Sequence, residues 1–423
     1  MSAVESSDAG VRGLLRDRNY VSVWAVGGIT GVIRWFQLLA LGIYTFETTG
    51  SPLLVSMVPI LWMVPLPLFG PLMGVVADRV NRKALLAWST AAVALLSVAM
   101  AALAQADDLG FVHIGIASLL SGLFWTTDMP VRRRLLGDLS GTAISAAMGL
   151  DSATGNATRM AGPLLGGVML QLVGMSGVFV LSAAAYAVCL ALILAARLPE
   201  RSQRMASPAL LHDLLAGLLF VLGDRGLKRI LAITIVFNMF GFPFTSMIPV
   251  IGRDTLGLEP FMVGLLSSLE GLGAFAGAML IAVLARPDNF FRLYLWGTLV
   301  YLALVLYLGI LAHVAGGPYH SFLAAAAVLA GIGIAGACFA AMQSTLTYLG
   351  APPEYRSRVM GVLTLCIGSG PLGFLNIGWM AETYGVPLAL IVSTVEGLAA
   401  MLLLWLFGGD GRPAGSDGLT SPS

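Results

Sequence analysis

Twelve runs of about 20 mostly apolar residues punctuate the chain, the length at which a helix rising ~1.5 Å per residue crosses ~30 Å of hydrocarbon. They centre near Gly31, Val64, Ala94, Leu119, Leu164 and Tyr186. After a polar stretch they resume near Asn238, Gly273, Ala303, Gly331, Ile367 and Val395. Hydrocarbon offers no hydrogen bond to a backbone N–H or C=O, so such segments must close their bonds internally as helices. The expected fold is an all-α integral membrane protein with twelve transmembrane helices in two pseudo-symmetric six-helix bundles. Composition agrees: 58% of residues are hydrophobic and 11% charged, too few charges to cover a water-facing surface of this size. A net charge of +1 leaves no electrostatic footprint for nucleic acid.

Basic residues fall in alternate loops. Arg12, Arg16 and Arg18 precede the first run; Arg79, Arg82 and Lys83 lie between the second and third; Arg132, Arg133 and Arg134 lie between the fourth and fifth. The pattern continues with Arg197 to Arg229 between the sixth and seventh, then Arg286 and Arg292, Arg356 and Arg358, and Arg412. The opposite loops carry only Arg253. Lys and Arg favour the cytoplasmic side, so both termini are expected there, in a multi-pass protein of the cell inner membrane. The polar start lacks the apolar core and cleavage site of a secretory signal, and the first run is expected to remain as a helix.

The chain divides into a cytoplasmic segment 1–19, a first bundle 20–197, a linker 198–226, a second bundle 227–408 and a Gly/Ser/Pro-rich tail 409–423 expected to be disordered. Within the linker, Leu210 to Leu222 has the pattern of an amphipathic surface helix. Gly162-Pro163-Leu164-Leu165-Gly166-Gly167 near the fifth run is echoed by Gly370-Pro371-Leu372-Gly373 near the eleventh, each a comparable distance after a basic turn. Six-helix repeats of this kind belong to transporters that hold substrate near the midplane.

Gly74-Val-Val-Ala-Asp78-Arg79-Val-Asn-Arg82-Lys83 resembles the signature loop of the major facilitator superfamily, G-x-x-x-D-R-x-G-R-[RK]. Asn81 replaces the usual glycine and tolerates a left-handed backbone. Asn156-Ala-Thr-Arg159-Met-Ala-Gly162-Pro163-Leu-Leu-Gly166-Gly167 resembles the exporter motif of that superfamily, with Thr158 where glycine is common. The whole chain is similar to the secretion-effector branch, which includes enterobactin-type siderophore exporters and macrolide efflux proteins. That resemblance implies a monomeric, proton-coupled exporter of a small organic molecule, working by alternating access without a cofactor. It also implies that the Asp78 loop latches the two halves, that helices 1, 5 and 8 border the central cavity, and that helix 5 lies beside helix 8.

Four charges stand deep in apolar runs, where each costs several kcal/mol unless paired or wetted: Arg34, Arg159, Glu270 and Glu396. Arg34, Arg159 and Glu270 are candidates for substrate or proton coupling, with Glu270 exchanging a proton as Arg159 or a substrate anion approaches and leaves. Glu396 is expected to be structurally paired. Asp128 and Asp151, nearer the cytoplasmic ends, are expected to be solvated or paired with Arg132–Arg134. Gly162, Gly166 and Gly167 permit close helix contact, and Pro163 is expected to bend its helix. Candidate cavity-lining residues are Trp35, Gln37, Trp125, Asn238, Phe242, Gln343 and Asn376. Two cations against one acid favour an anionic or electron-rich substrate, such as a phenolate or carboxylate. Cys189, Cys338 and Cys366 lie in apolar runs without metal-ligand spacing, and no clustered nucleophile or acid–base group suggests an enzyme. An importer or lipid flippase of the same fold, or a non-transporting receptor, are the alternatives.

The topology has a direct test. In a background with the three cysteines replaced by serine, Glu47→Cys and Asp107→Cys should react with an impermeant maleimide added outside intact cells. Reaction of either only from the cytoplasmic side would refute the assignment.

Overall fold

The computed structural model describes residues 11–70, 80–198, 210–314 and 318–407, and no strand occurs among them. Gly74, Asp78 and Arg79 of the signature loop, most of the linker and the C-terminal tail lie outside the described residues. The first two elements are α1 (Arg18–Thr49) and α2 (Pro52–Met63). A turn at Val64 separates α2 from a further helical segment, 65–70, because Pro65 and Pro67 bring no N–H to the ladder.

α3 (Arg82–Gln105) starts at Asn81, whose side chain accepts from the Ala84 N–H at 3.1 Å. Asn81 has φ −57° and ψ 115°, so the expectation of a left-handed turn residue is corrected. Asn is used here for its side-chain oxygen as an N-cap, which glycine lacks.

α4 (Phe111–Ser140) runs through a short 3₁₀ turn, Gly141–Ala143, into α5 (Ile144–Ala195). At 52 residues α5 is too long to cross a bilayer once. Its backbone breaks at Gly174, with φ 64° and ψ −172°, a conformation open to glycine without strain. The break falls there, and Pro163 sits within the helical run that precedes it.

The linker helix α6 (Leu210–Gly223) is present, and it is docked rather than isolated. Arg358 donates to Asp213 at 2.9 Å, and Phe220 stacks on Tyr355 at 4.5 Å. Asp224 then caps α7 (Arg225–Val236) by accepting from the Leu227 N–H at 2.8 Å. Beyond Val236 the chain leaves α-geometry. A π turn Phe237–Gly241, a 3₁₀ segment Phe242–Met247 and a second π turn Ile251–Thr255 surround Pro243 and Pro249. Each proline withdraws a donor, and a shifted hydrogen-bond register absorbs the loss.

α8 (Pro260–Leu284), α9 (Phe290–Val314) and α10 (Pro318–Gly350) follow. α11 (Arg356–Ile367) and α12 (Gly370–Tyr384) make up one further apolar stretch, and α13 (Val386–Phe407) closes the series. Among the described residues, 10 helical stretches are long and apolar enough to cross a membrane. One of them is the 85-residue segment Phe111–Ala195, which contains the backbone breaks at Gly141 and Gly174.

Two compact units emerge. One gathers residues 1–48, 61–206 and 259–268; the other gathers 49–60, 207–258 and 269–423. Small residues make the packing of both. In the first unit a methyl on Gly166 would lie 2.7 Å from the Phe36 carbonyl oxygen, and one on Gly264 would lie 2.7 Å from that of Pro163. A side chain on Gly167 would overlap the Pro260 carbonyl. Such approaches let helices associate where lipid supplies no hydrophobic drive. In the second unit Gly378 abuts Ser56, and Glu382 accepts from the Ser51 hydroxyl at 2.7 Å and the Leu53 N–H at 3.2 Å.

Gly167→Val should therefore destabilise the protein by roughly 1–3 kcal/mol through overpacking. Gly149→Ala, which meets nothing within 4 Å, should be neutral or slightly stabilising. Thermal unfolding of both variants in detergent checks this, and an unchanged melting temperature for Gly167→Val would refute the close contact.

Candidate functional site

The deepest charges of the first unit sit among indoles. Arg34 on α1 has no acid within ion-pair distance among the described residues and is surrounded instead by rings. Its guanidinium carbon lies 4.8 Å from the centre of Trp35, 5.4 Å from Trp125 on α4 and 5.7 Å from Trp62 on α2. Arg159 on α5 approaches the same Trp35 ring at 5.4 Å. Trp62 and Trp125 are themselves in contact, with centroids 4.7 Å apart. A guanidinium over an indole face gains from the ring quadrupole, most where water is scarce. Four helical segments thus deliver two cations and three indoles to one place, and each of the five side chains is half-buried rather than sealed.

The local sequence explains the convergence. Gly162 and Gly166, one turn apart on α5, face α1; a methyl on Gly162 would lie 2.5 Å from the Trp35 Cβ. Gly31 of α1 faces the Thr158 side chain, with 2.9 Å between a built methyl and its hydroxyl oxygen. These bare positions bring α1 and α5 together at the level of Arg34, Trp35 and Arg159. Two donors of the cluster, Arg34 Nε and Trp35 Nε1, are buried and have no hydrogen-bond partner.

One helical turn beyond Trp125, Asp128 begins a buried ionic network. Arg132 donates to Asp128 at 3.3 Å and to Asp151 of α5 at 2.5 Å. Arg133 completes Asp151 at 3.0 Å. Asp128, Asp151 and Arg132 are all buried, and the Arg132 guanidinium rests against the bare backbone of Gly27. Nearby, Trp24 donates to the Thr154 hydroxyl at 2.8 Å. Of the signature-loop residues described, Arg82 pairs with Asp138 at 2.6 Å, and Lys83 donates to the carbonyls of Leu194 and Ala196 at 2.8 and 2.7 Å.

In the second unit Glu270 is 5% exposed on α8, and its backbone carbonyl faces Gly333 of α10. Asn238 donates to the Thr234 carbonyl at 2.9 Å. Gln343 donates to the Thr234 hydroxyl at 3.2 Å, and that hydroxyl also meets Tyr294 at 2.9 Å. Phe242 packs edge-on to Phe374 at 5.7 Å. Asn376 donates to Glu396 at 3.4 Å, giving that acid a partner. Gln37 is buried on α1. The structure thus joins Arg34, Arg159, Trp35 and Trp125 in one cluster, and Asn238 and Gln343 in another through Thr234. Trp62 belongs to the first cluster and was missed; a tryptophan away from the ends of an apolar run, where the interface normally draws it, was the available signal.

Long apolar helices, small-residue packing and charges held inside them define a multi-pass membrane transporter. The chain belongs to the transmembrane secretion effector family of the major facilitator class, whose model matches residues 12–408. It is 26% identical to the uncharacterised MFS-type transporter YfiS of Bacillus subtilis (strain 168), covering 85% of each chain. It is 25% identical to the multidrug efflux pump Tap of Mycolicibacterium fortuitum, covering 80% of this chain and 83% of that one. It is 19% identical to macrolide efflux protein A of Streptococcus pyogenes, covering 87% and 90%. In fold it is similar to the nucleoside transporter NupG (TM-score 0.73, 13% identity, 91% and 98% covered). A D-xylose-proton symporter shows the same likeness (TM-score 0.70, 13% identity, 93% and 99% covered).

Breaking the buried network should be costly. Asp151→Asn leaves the enclosed Arg132 without its closest carboxylate and should cost about 3–5 kcal/mol. Arg133→Gln removes a partner whose side chain is 49% exposed and should cost under about 1 kcal/mol. Unfolding of the purified variants in sodium dodecyl sulfate measures both, and equal losses would contradict the assignment of Arg132 as the buried partner.

Proposed function

We propose that this transporter is a proton-coupled exporter of a small organic molecule, built from twelve spans and working by alternating access in the cell inner membrane with both termini cytoplasmic. The observation that carries the reading is the division of buried charge. Arg34 and Arg159 supply positive potential in one unit, and Glu270, buried on a helix with no other charged residue, supplies an exchangeable acid in the other. A carboxylate retained in hydrocarbon at several kcal/mol of cost is a proton-carrying candidate by default. The export direction is supported by relatives named as a macrolide efflux protein and a multidrug efflux pump. In the cycle, protonation of Glu270 and occupation of the arginine cluster would alternate, so that proton entry accompanies substrate release. The Asp78-Arg79 loop would latch the halves when the outward-facing state forms, and the Gly162–Gly167 stretch would be the surface along which helices slide.

Proteoliposomes carrying a pH gradient test this with salicylate, erythromycin and ethidium as probe cargoes. Wild type should drive at least one probe against its gradient and dissipate the pH difference as it does so. Glu270→Gln should lose proton-driven transport yet retain counterflow exchange, whereas Arg159→Ala should lose both. Full proton-driven transport by Glu270→Gln would remove the coupling assignment.

A further inference from the structure

We infer that the uncovered face of the linker helix α6 is an interfacial anchor, seated on the boundary between headgroups and acyl chains of the bilayer and selective for anionic phospholipid. The contact depends on the chain spanning a membrane and not on the direction or coupling of transport.

The sequence of α6, Leu210–Gly223, is apolar almost all the way round. A helix of that composition has to bury both faces, and the second unit covers one. Val221 is buried, and Phe220 stacks on Tyr355 at the start of α11. Gly217 lies against the backbone of Arg358, where a methyl would come within 2.7 Å of the carbonyl oxygen. Asp213 ties the same side to the Arg358 guanidinium. The opposite side carries Leu215, Leu218, Leu219 and Leu222, at the i, i+3, i+4, i+7 spacing that lines one stripe. Their exposure runs from 40% at Leu218 to 69% at Leu219. A contiguous stripe of exposed leucines marks a surface that something covers.

Position identifies what covers it. Only Asp224 separates α6 from α7, and α7 opens an apolar stretch, Arg225–Thr255, long enough to cross a membrane. The leucine stripe is therefore held at the end of a membrane-crossing segment, at the level where hydrocarbon gives way to headgroups. At 14 residues α6 is itself too short to cross, so it meets the bilayer as a surface helix.

Charge identifies the headgroup. Arg225 and Lys228 follow α6 directly, at the start of α7, and both are exposed. The two acids nearest the stripe along the chain are engaged within the protein: Asp213 accepts from Arg358, and Asp224 caps α7. Exposed cations at the end of an apolar stripe match a lipid that offers acyl chains together with a phosphate unbalanced by an amine. Lysine and arginine can keep their stems along the apolar surface while their charged ends reach that phosphate.

Quenching of a fluorescent label on the stripe tests this. The full chain, with its three cysteines replaced by serine, receives Leu219→Cys or Leu215→Cys, is labelled with bimane and is reconstituted into vesicles. Asp107→Cys, exposed in the turn between α3 and α4, serves as the water-facing reference. Both stripe labels should be quenched by a nitroxide carried near the headgroup end of a phosphatidylcholine acyl chain. Iodide present on both sides of the membrane should quench them severalfold less than the reference. The same nitroxide on phosphatidylglycerol should quench severalfold more strongly than on phosphatidylcholine. Arg225→Gln combined with Lys228→Gln should erase that difference and leave quenching by phosphatidylcholine unchanged. Iodide quenching equal to the reference would mean that the stripe faces water. Protection from both quenchers would mean that protein covers it, and either result overturns the inference. Equal quenching by the two lipids before the cations are removed would overturn the anionic assignment. The two labels stand one helical turn apart at exposed positions, so if one variant fails to fold the other decides.

Discussion

An unpaired polar group in hydrocarbon costs several kcal/mol, because no water is there to replace the lost partner. The described chain answers this first with helices and then, side chain by side chain, with local bonds. Thr90, Ser97, Thr126, Ser182 and Thr298 each donate to the carbonyl four residues earlier. Hydroxyls are thereby satisfied within their own helix and place no demand on neighbours. Guanidiniums and carboxylates carry charge and need more than one carbonyl of their own helix: Arg132 pairs with Asp128 one turn away and with Asp151 on the next helix. The Arg132 network joins α4 to α5 for that reason, and Arg34, lacking a carboxylate, is held by rings from three helices.

Bringing such groups together requires backbones to approach closely, and glycine decides where this happens. Gly27 and Gly31 lie one turn apart on α1, as do Gly162 and Gly166 on α5. The first pair clears space for Arg132 and Thr158, and the second for Trp35 and Phe36. The two stripes form one tight seam, and the arginine–tryptophan cluster sits at its edge. The same seam carries the residues of the exporter motif, so packing and site are one feature of the sequence seen twice. In the second unit Gly273 and Gly333 set α8 against α10 beside Glu270 in the same manner.

Much of this was legible because hydrocarbon simplifies the code: length of apolar run, alternation of basic loops and the Gly-Pro repeats point directly to a helical membrane protein. Arg34 and Arg159 are legible as candidates because a charge in an apolar run is costly and therefore conspicuous, and Trp35 and Trp125 because they are aromatic residues on helices that the family resemblance places at the cavity. What residue counting could not supply was azimuth. These helices are apolar on nearly every face, so no polar stripe shows which side looks inward. Nothing in the spacing therefore reveals that Trp62 turns toward Arg34, or that Asn376 turns toward Glu396. The role of Asn81 was hidden for a different reason. Asn serves equally in left-handed turns and as an N-cap, and only the backbone dihedrals separate the two.

The choice of rings rather than carboxylates around Arg34 has a consequence for a molecule that must release what it binds. An aspartate paired with Arg34 would spend its donors on a strong internal partner. Indole faces stabilise the guanidinium by about 0.5–2 kcal/mol each, enough to hold it in place while leaving its donors unspent. The buried Asp128–Arg132–Asp151 network meets the same seam at Gly27, so ring-held and carboxylate-held guanidiniums lie along one helix pair.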